Sequence, residues 1–220
     1  MLVLASASPR RQELLRNAGI AFAVQPTDIP EAPQEGELPR PFAERLAREK
    51  ALAVARQRPD DFVLGADTTV VVGGQILGKP TDPADAARML RLLSGRTHEV
   101  ITGVCLVSAG RNCHAERSEA SLPRSRVPAP VGILRSAQND KTDFAVEDVR
   151  SETTLVTMNP LSEQDILFYI ATGEPMDKAG AYAIQGIASR WIPHIEGDYC
   201  NVVGLPVALV CAMLREHGAI

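Results

Sequence analysis

The chain has 220 residues, of which 45% are hydrophobic and 23% charged, and its formal net charge is -4. This composition is typical of a globular protein with a hydrophobic core, and the length allows one large domain or two small lobes. The acidic balance argues against a general nucleic-acid binder, because a phosphate backbone demands a strong positive field. It does not exclude a mononucleotide enzyme, in which a few local cations hold the phosphates.

Cysteine usage and hydropathy narrow the class of protein further. The four cysteines, Cys105, Cys113, Cys200 and Cys211, form no C-x-x-C pair, so neither a zinc site nor a disulfide framework is expected. Free thiols suit a reducing cytoplasm. The apolar start of the chain is too short for a signal peptide, and no stretch approaches the ~20 apolar residues of a membrane span. We therefore expect a cytoplasmic protein.

Strands and helices alternate in the first part of the chain. The pair Ser8-Pro9 predicts a helix start, because serine suits the N-cap and proline suits the first turn. The predicted elements are a strand over residues 2–5, a helix ended by Gly19, a strand over 22–24, a loop over 29–41 and a helix over 42–57.

The middle and the end of the chain continue this alternation. The predicted elements are strands over 62–64 and 68–72 separated by a break, a Gly73-Gly74 hairpin turn, a strand over 76–77, a helix from Thr81 or Asp82 to Leu93, strands over 99–107, 144–149 and 153–158, a helix over 162–171, a strand over 191–195 and a helix over 206–217. This order predicts an α/β domain with a mixed sheet.

One segment, from Arg111 to Thr142, differs from the rest of the chain. It shows no sustained periodicity and is rich in Ser, Arg, Ala and Glu. A segment of this length without predicted secondary structure is unusual inside a compact domain. We interpret it as an exposed, mostly disordered loop between two strands, so that its deletion should leave the activity intact. A functional lid or a partner site is the alternative.

Two arginines follow the first predicted helix start. Arg10 and Arg11 would lie in the first turn, where cations oppose the helix dipole but free N–H groups attract anions. Guanidinium groups bind phosphate in a bidentate manner. The pair therefore predicts a phosphate site, and two solvated surface residues are the alternative.

Lys50 lies on the apolar face of its predicted helix. A helical wheel places it among Phe42, Leu46 and Ala53. An inward lysine needs a carboxylate, an anion or a route to water. A lysine whose ammonium extends to solvent is the default interpretation, and the buried edge of a phosphate site is the alternative.

An acid and a further lysine follow predicted strands. Asp67 comes directly after the apolar run at 62–64, where ligands collect in α/β sheets, so it is a candidate to bind Mg²⁺ or to activate water. A turn or a helix cap is the alternative for Asp67. Lys79 lies between Gly78 and Pro80 and is a weak signal alone.

The segment 174–186 combines charged, small and turn-forming residues. Its glycines and alanines would let the backbone approach a ligand closely, and the Gln185 amide offers a donor and an acceptor to a base edge. Asp177 and Lys178 are adjacent and would form an ion pair. Neither a P-loop nor a dinucleotide-binding glycine motif is present.

The chain resembles the Maf family of nucleotide pyrophosphatases. The motifs that carry the resemblance are LASASPRR at residues 4–11, LAREKA at 46–51, GADT at 65–68, LGKP at 77–80, LSGRTH at 93–98, EPMDKAGAYAIQG at 174–186 and VVGLP at 202–206. They span the chain, apart from the insertion, as one domain of 220 residues. The resemblance implies a two-lobed α/β fold with a mixed sheet, flanking helices and a central cleft, similar to inosine triphosphatases.

The resemblance also implies an activity and the residues responsible for it. Family members hydrolyse nucleoside triphosphates at the α–β bond with a divalent metal, Mg²⁺ or Mn²⁺, and are commonly homodimers. Asp67 matches the catalytic acid, and Glu31 is a less securely aligned second acid for the metal. The polar positions that match the substrate cleft or its specificity positions are Ser6, Arg10, Arg11, Lys50, Thr68, Lys79 and Gln185.

The last motif segment indicates the branch of the family. Residues 177–182 with Gln185 resemble the branch that acts on dTTP and UTP, whereas the branch that acts on 7-methyl-GTP differs in these segments. Ala183 stands where a glycine is usual, which should have little effect unless the position needs a positive φ. The alternatives are a 7-methyl-GTP or modified-nucleotide pyrophosphatase, or a non-catalytic nucleotide-binding regulator of cell division.

Overall fold

The computed structural model describes residues 1–108 and 144–220. These two ranges hold β1 (Leu2–Leu4), α1 (Pro9–Asn17), β2 (Ala23–Val24), α2 (Pro39–Ala55), β3 (Phe62–Val72), β4 (Gln75–Leu77), α3 (Pro83–Leu93), β5 (Thr97–Ser108), β6 (Val146–Thr157), α4 (Glu163–Ala171), β7 (His194–Glu196), α5 (Tyr199–Val203) and α6 (Val207–Glu216). Three 3₁₀ turns, Glu174–Asp177, Ala179–Ala181 and Ile187–Trp191, lie between α4 and β7. The predicted insertion, Arg111 to Thr142, lies outside the described residues.

The strands form one mixed sheet, as predicted. Within the described ranges its order is β2-β1-β3-β5-β6-β7, with β4 paired to β3. β1 is parallel to both of its neighbours, and all other pairs are antiparallel. The long strands β3, β5 and β6 therefore form the centre of the sheet.

The hydrophobic core is divided along these long strands. Val70 of β3 and Val100 of β5 pack with α3 and α4, whereas Leu64 of β3 and Val104 of β5 pack with α1 and α6. Another buried cluster joins α2 to the opposite face of the sheet. This division, with helices on both faces, agrees with the expected α/β architecture, and the similarity to inosine triphosphatases stays a prediction.

Helix α2 approaches the sheet unusually closely at two glycines. A Cβ atom at Gly65 of β3 would lie 2.2 Å from the Ala47 carbonyl oxygen, and one at Gly103 of β5 would lie 2.4 Å from the Ala43 carbonyl oxygen. No side chain fits at either position. The two glycines therefore set the distance between α2 and the sheet, and with it the position of Lys50.

Helix starts were predicted well where a side chain caps them. Ser8 accepts a hydrogen bond from the Arg11 N–H, and Asp82 accepts one from the Asp85 N–H. Gly19, at φ 70°, follows the end of α1. Helix α2 begins at Pro39, three residues before the predicted start, because a proline at N1 starts it without a side-chain cap.

Several predicted strand boundaries were wrong. Residues 62–72 form one strand without a break, since Gly65 pairs with Cys105 on β5 and loses no ladder partner. The strands predicted over 144–149 and 153–158 are one strand, β6, paired along its whole length with β5. The run 191–195 contains the end of a 3₁₀ turn before β7 begins at His194, and helix α5 was not predicted. In the described part of the chain, none of the helices combines the length and the hydrophobicity required to cross a bilayer.

Candidate active site

A gap beside β3 creates the site. On one side, β1 pairs with β3 only as far as Leu64, and β4 resumes the pairing at Val70. Asp67, Thr68 and Thr69 lie in the gap and line a cleft with a volume of ≈ 490 Å³. A cleft of this size suits a small-molecule ligand, and its place beside the end of parallel strand β1 is a usual ligand position in α/β sheets.

Lys50 joins two carboxylates in this cleft. Its ammonium donates to Asp67 Oδ1 at 2.6 Å and to Glu31 Oε1 at 2.6 Å. Lys79 donates to the other oxygen of Glu31 at 3.0 Å. The inward lysine therefore contacts carboxylates, and the default interpretation of an ammonium that extends to solvent is wrong, since the side chain is buried.

For each of the two acids, burial and the neighbouring cations shift the pKa in opposite directions. Burial raises the pKa of the Asp67 carboxyl, and the charges of Lys50 and Arg11 oppose this rise. For Glu31, burial also raises the pKa, but hydrogen bonds and charges from Lys50 and Lys79 outweigh it and lower the pKa to about 2. The two acids thus have different proton affinities within one lysine-linked group.

Arg11 is held by the protein itself. Its guanidinium donates to the Gly204 carbonyl at 2.8 Å, to the Ala66 carbonyl at 2.9 Å, and to the hydroxyls of Ser6 and Thr68 at 3.1 Å each. Four of its five N–H groups are thereby engaged. Burial lowers the pKa of Arg11, and the Asp67 charge opposes this effect. Arg11 therefore joins α1, β3 and the end of α5 at the floor of the cleft.

Thr68 extends this network toward α5. Its hydroxyl lies 3.0 Å from that of Thr102, which in turn donates to the Asn201 carbonyl at 3.1 Å. The buried Asn201 side chain donates to the Val100 carbonyl and to Thr154, both at 3.0 Å. Sequence reasoning missed Asn201, although a polar residue among Cys200, Val202 and Val203 is the signal that could have found it.

Further cations lie at the rim of the cleft. Arg10 is 3.9 Å from Asp177, and Lys178 forms an ion pair with the same carboxylate. The expected Asp177–Lys178 pair is thus present. Among the described residues, five cationic and four acidic side chains line the cleft: Arg10, Arg11, Lys50, Lys79 and Lys178, with Asp28, Glu31, Asp67 and Asp177. This mixture suits an anionic ligand that binds with a cation.

The Gln185 segment forms another wall of the cleft. Gln185 is exposed toward it and has no hydrogen bond to other described residues. Gly180, at φ 69°, donates to the Gly78 carbonyl at 3.0 Å and so ties this segment to the Lys79 turn. Ala181 is the one non-glycine residue in the described ranges with a positive φ. Ala183 is therefore unstrained, and alanine fits there as expected.

The carboxylates fit a divalent cation that shares its ligands with a substrate. The described residues contain no group of three or more His, Cys, Asp or Glu side chains placed around one metal position. Mg²⁺ is commonly bound by only one or two carboxylates together with substrate phosphates. Asp67 and Glu31 supply such a pair, and Asp67 Oδ2 has no partner in the described part of the chain.

The structure brings all the candidate residues to one cleft. Each of them lines it, from Ser6 in the segment after β1 to Gln185. Arg11 differs from the prediction in its hydrogen bonds, because its guanidinium binds protein acceptors rather than facing the cleft as a free phosphate ligand. Thr27 and Asp28 also line the cleft and were missed, because their loop carries no local pattern.

Comparisons with known proteins identify the family of the chain. The family model described as "Maf-like protein" matches residues 1–217. A "dTTP/UTP pyrophosphatase" of Koribacter versatilis is 51% identical over 219 residues, which cover 100% of this chain and 95% of that protein. Proteins with the same name from Geobacter sulfurreducens (46% identity, 100% and 97% covered) and Symbiobacterium thermophilum (45% identity, 99% and 94% covered) are also similar.

Proposed function

The chain belongs to the Maf family, and we propose that it hydrolyses dTTP and UTP to the nucleoside monophosphate and pyrophosphate. The observation that carries this proposal is the buried Lys50, whose ammonium joins Asp67 to Glu31 at the gap beside β3. Phosphoryl transfer depends mainly on positioning and charge stabilisation. A cleft in which Asp67 and Glu31 are linked by Lys50 and accompanied by further cations would supply both.

Each side chain has a distinct part in the proposed reaction. Lys50 favours the ionised form of Asp67, whose free oxygen orients water for attack at the α-phosphorus. Arg10 and Lys79, at the rim, bind the β- and γ-phosphates. Lys50 also faces the negative charge of the triphosphate. Arg11 fixes Ser6 and Thr68 in the floor of the cleft. Gln185 reads the pyrimidine edge.

We further propose that the metal is Mg²⁺ or Mn²⁺, held by Asp67 and Glu31. A bound divalent cation neutralises charge on the triphosphate and on the leaving pyrophosphate. Lys50 must then share its carboxylate partners with the cation.

We also propose that the enzyme is a cytoplasmic homodimer, and size-exclusion chromatography with light scattering tests the oligomeric state.

Product analysis tests the proposed activity. The purified protein is incubated with dTTP, UTP and 7-methyl-GTP, with Mg²⁺, with Mn²⁺ or with chelator, and Asp67→Asn is the matched control. We expect metal-dependent formation of monophosphate and pyrophosphate from dTTP and UTP. Turnover of 7-methyl-GTP alone would contradict the assignment of Gln185. No turnover of any nucleotide would favour the non-catalytic regulator.

A further inference from the structure

The loop that carries Gln185 is held at both ends by one pair of side chains. The Ala183 N–H donates to the Tyr169 hydroxyl at 3.1 Å, and the Ile187 N–H donates to Glu174 Oε1 at 3.1 Å. The Tyr169 hydroxyl donates to the same Glu174 oxygen at 2.7 Å. We call this pair, Tyr169 with Glu174, the clamp.

The clamp accounts for a glycine beside Gln185. A Cβ atom at Gly186 would lie 2.2 Å from Glu174 Oε1. Glycine at this position therefore leaves the space that the Glu174 carboxylate occupies. The loop sequence is adapted to the clamp.

The Gln185 side chain depends on its backbone for its position. It is exposed and has no hydrogen bond to other described residues. Tyr169, in contrast, is buried on α4, and its ring packs edge-on against Trp191 with centroids 5.6 Å apart. The clamp thus connects the loop that carries the exposed Gln185 side chain to a rigid part of the core, as precise recognition by hydrogen bonds requires.

We propose that Glu174 and Tyr169 are positioning residues for base selection, which hold the Gln185 loop against the nucleobase. This inference rests on the proposed function, in which Gln185 reads the base. The clamp belongs to α4 and the turn after it, whereas Asp67 and Lys50 belong to β3 and α2. Loss of the clamp should therefore change the KM and the choice of nucleotide more than kcat.

Kinetics of four variants test the proposal. Tyr169→Phe and Glu174→Ala remove the clamp, and Glu174→Gln keeps an oxygen that accepts from Ile187 and Tyr169. Glu163→Gln, on the same helix as Tyr169, alters only an exposed ion pair with Arg91 of α3. We expect Tyr169→Phe and Glu174→Ala to raise the KM for dTTP about tenfold, with kcat within about threefold of wild type, because a displaced reading group weakens binding of the base. Glu174→Gln and Glu163→Gln should stay near wild type.

The preference for dTTP over dATP separates positioning from a structural role. We expect the ratio of kcat/KM values for these nucleotides to fall about tenfold in Tyr169→Phe. A lower thermal midpoint and an equal loss of activity on both nucleotides would overturn the proposal. If Glu174→Ala does not fold, the comparison of Tyr169→Phe with Glu174→Gln decides.

The proposed function and the clamp fail in different ways. If the wild-type protein turns over neither nucleotide, the proposed function fails, and calorimetric binding of dTTP and dATP in chelator replaces kinetics. A wild-type binding preference for dTTP that Tyr169→Phe loses and Glu174→Gln keeps would still support the clamp. A wild-type protein that binds both nucleotides equally, or a preference that Tyr169→Phe retains, would overturn it.

Discussion

The ammonium nitrogen of Lys50 lies 2.6 Å from Oδ1 of Asp67, and each residue is only 7% exposed. The contact arises because α2 packs on β3 at Gly65, which brings the inner face of the helix onto the strand at Asp67. A buried carboxylate next to a lysine and beside an open cleft is an arrangement suited to acid–base or metal chemistry.

Asp67→Asn should abolish turnover and keep the fold. The amide oxygen still accepts from Lys50, and Glu31 still neutralises the ammonium, so thermal unfolding should change little. We expect kcat to fall by about 10³-fold or more, because the group that orients water and metal is lost. Steady-state kinetics and a thermal melt check this result. Near-normal activity with an unchanged metal requirement would remove Asp67 from its assigned role.

Lys50→Met should destabilise the protein, because it leaves Asp67 buried without its ammonium partner. Removal of one partner of a buried ion pair costs about 3 kcal/mol or more. Lys79→Met is the matched control, since the Lys79 side chain is 57% exposed, and its loss should cost less than about 1 kcal/mol. Urea denaturation of both variants measures the difference. Equal stabilities would show that the Lys50 contacts contribute little to folding.

Gly65→Ala should displace α2 from the sheet. The new Cβ would lie 2.2 Å from the Ala47 carbonyl oxygen. Because this oxygen belongs to the backbone, it cannot move away unless the helix moves with it. We expect a loss of about 2 kcal/mol or more in unfolding free energy. Gly78→Ala is the control, because a Cβ there meets nothing within 4 Å. An unchanged midpoint for Gly65→Ala would show that α2 is not fixed by this contact.

His98 should make stability depend on pH. Burial lowers the pKa of His98 to about 4 from its ordinary 6.5, and its Nε2 lies 2.8 Å from the Tyr182 hydroxyl. Because the folded state binds the proton less readily, this contribution is full above pH 6.5 and is lost as the pH falls toward about 4. We expect wild type to lose about 2 kcal/mol between about pH 8 and about pH 5 through this group.

His98→Gln provides the comparison for this pH effect. Glutamine still offers a polar partner to Tyr182 but does not titrate, so the variant should lack this part of the pH dependence. Denaturant titrations of both proteins at each pH give the difference directly. Parallel pH profiles would mean that His98 protonates as easily in the folded protein as in the unfolded one.

Local patterns in the sequence predicted much of the site. Lys50 was placed on the inner face of α2 because helical periodicity is a local property, and the Ser8 and Asp82 caps were found for the same reason. Asp67 was identified from its place after an apolar run. These residues need only their neighbours in the chain to reveal their positions.

Other parts depend on contacts between distant residues and were not predictable. Glu31 lies in a loop, and only the fold brings it to Lys50 and Lys79. Arg11 looked like a phosphate ligand, but Gly204, far away in sequence, accepts one of its hydrogen bonds. The continuous strand at 62–72 depends on pairing with β5, which a local reading of Gly65 as a break cannot anticipate.

Hydrolysis of dTTP in H₂¹⁸O with Mg²⁺, followed by mass spectrometry of both products, shows which phosphorus atom the water attacks. Attack at the α-phosphorus, to which Asp67 would direct the water, predicts ¹⁸O in dTMP and none in pyrophosphate. Label in pyrophosphate would mean attack at the β-phosphorus. Formation of dTDP and phosphate would mean cleavage of a different bond, and either result would contradict the proposed reaction.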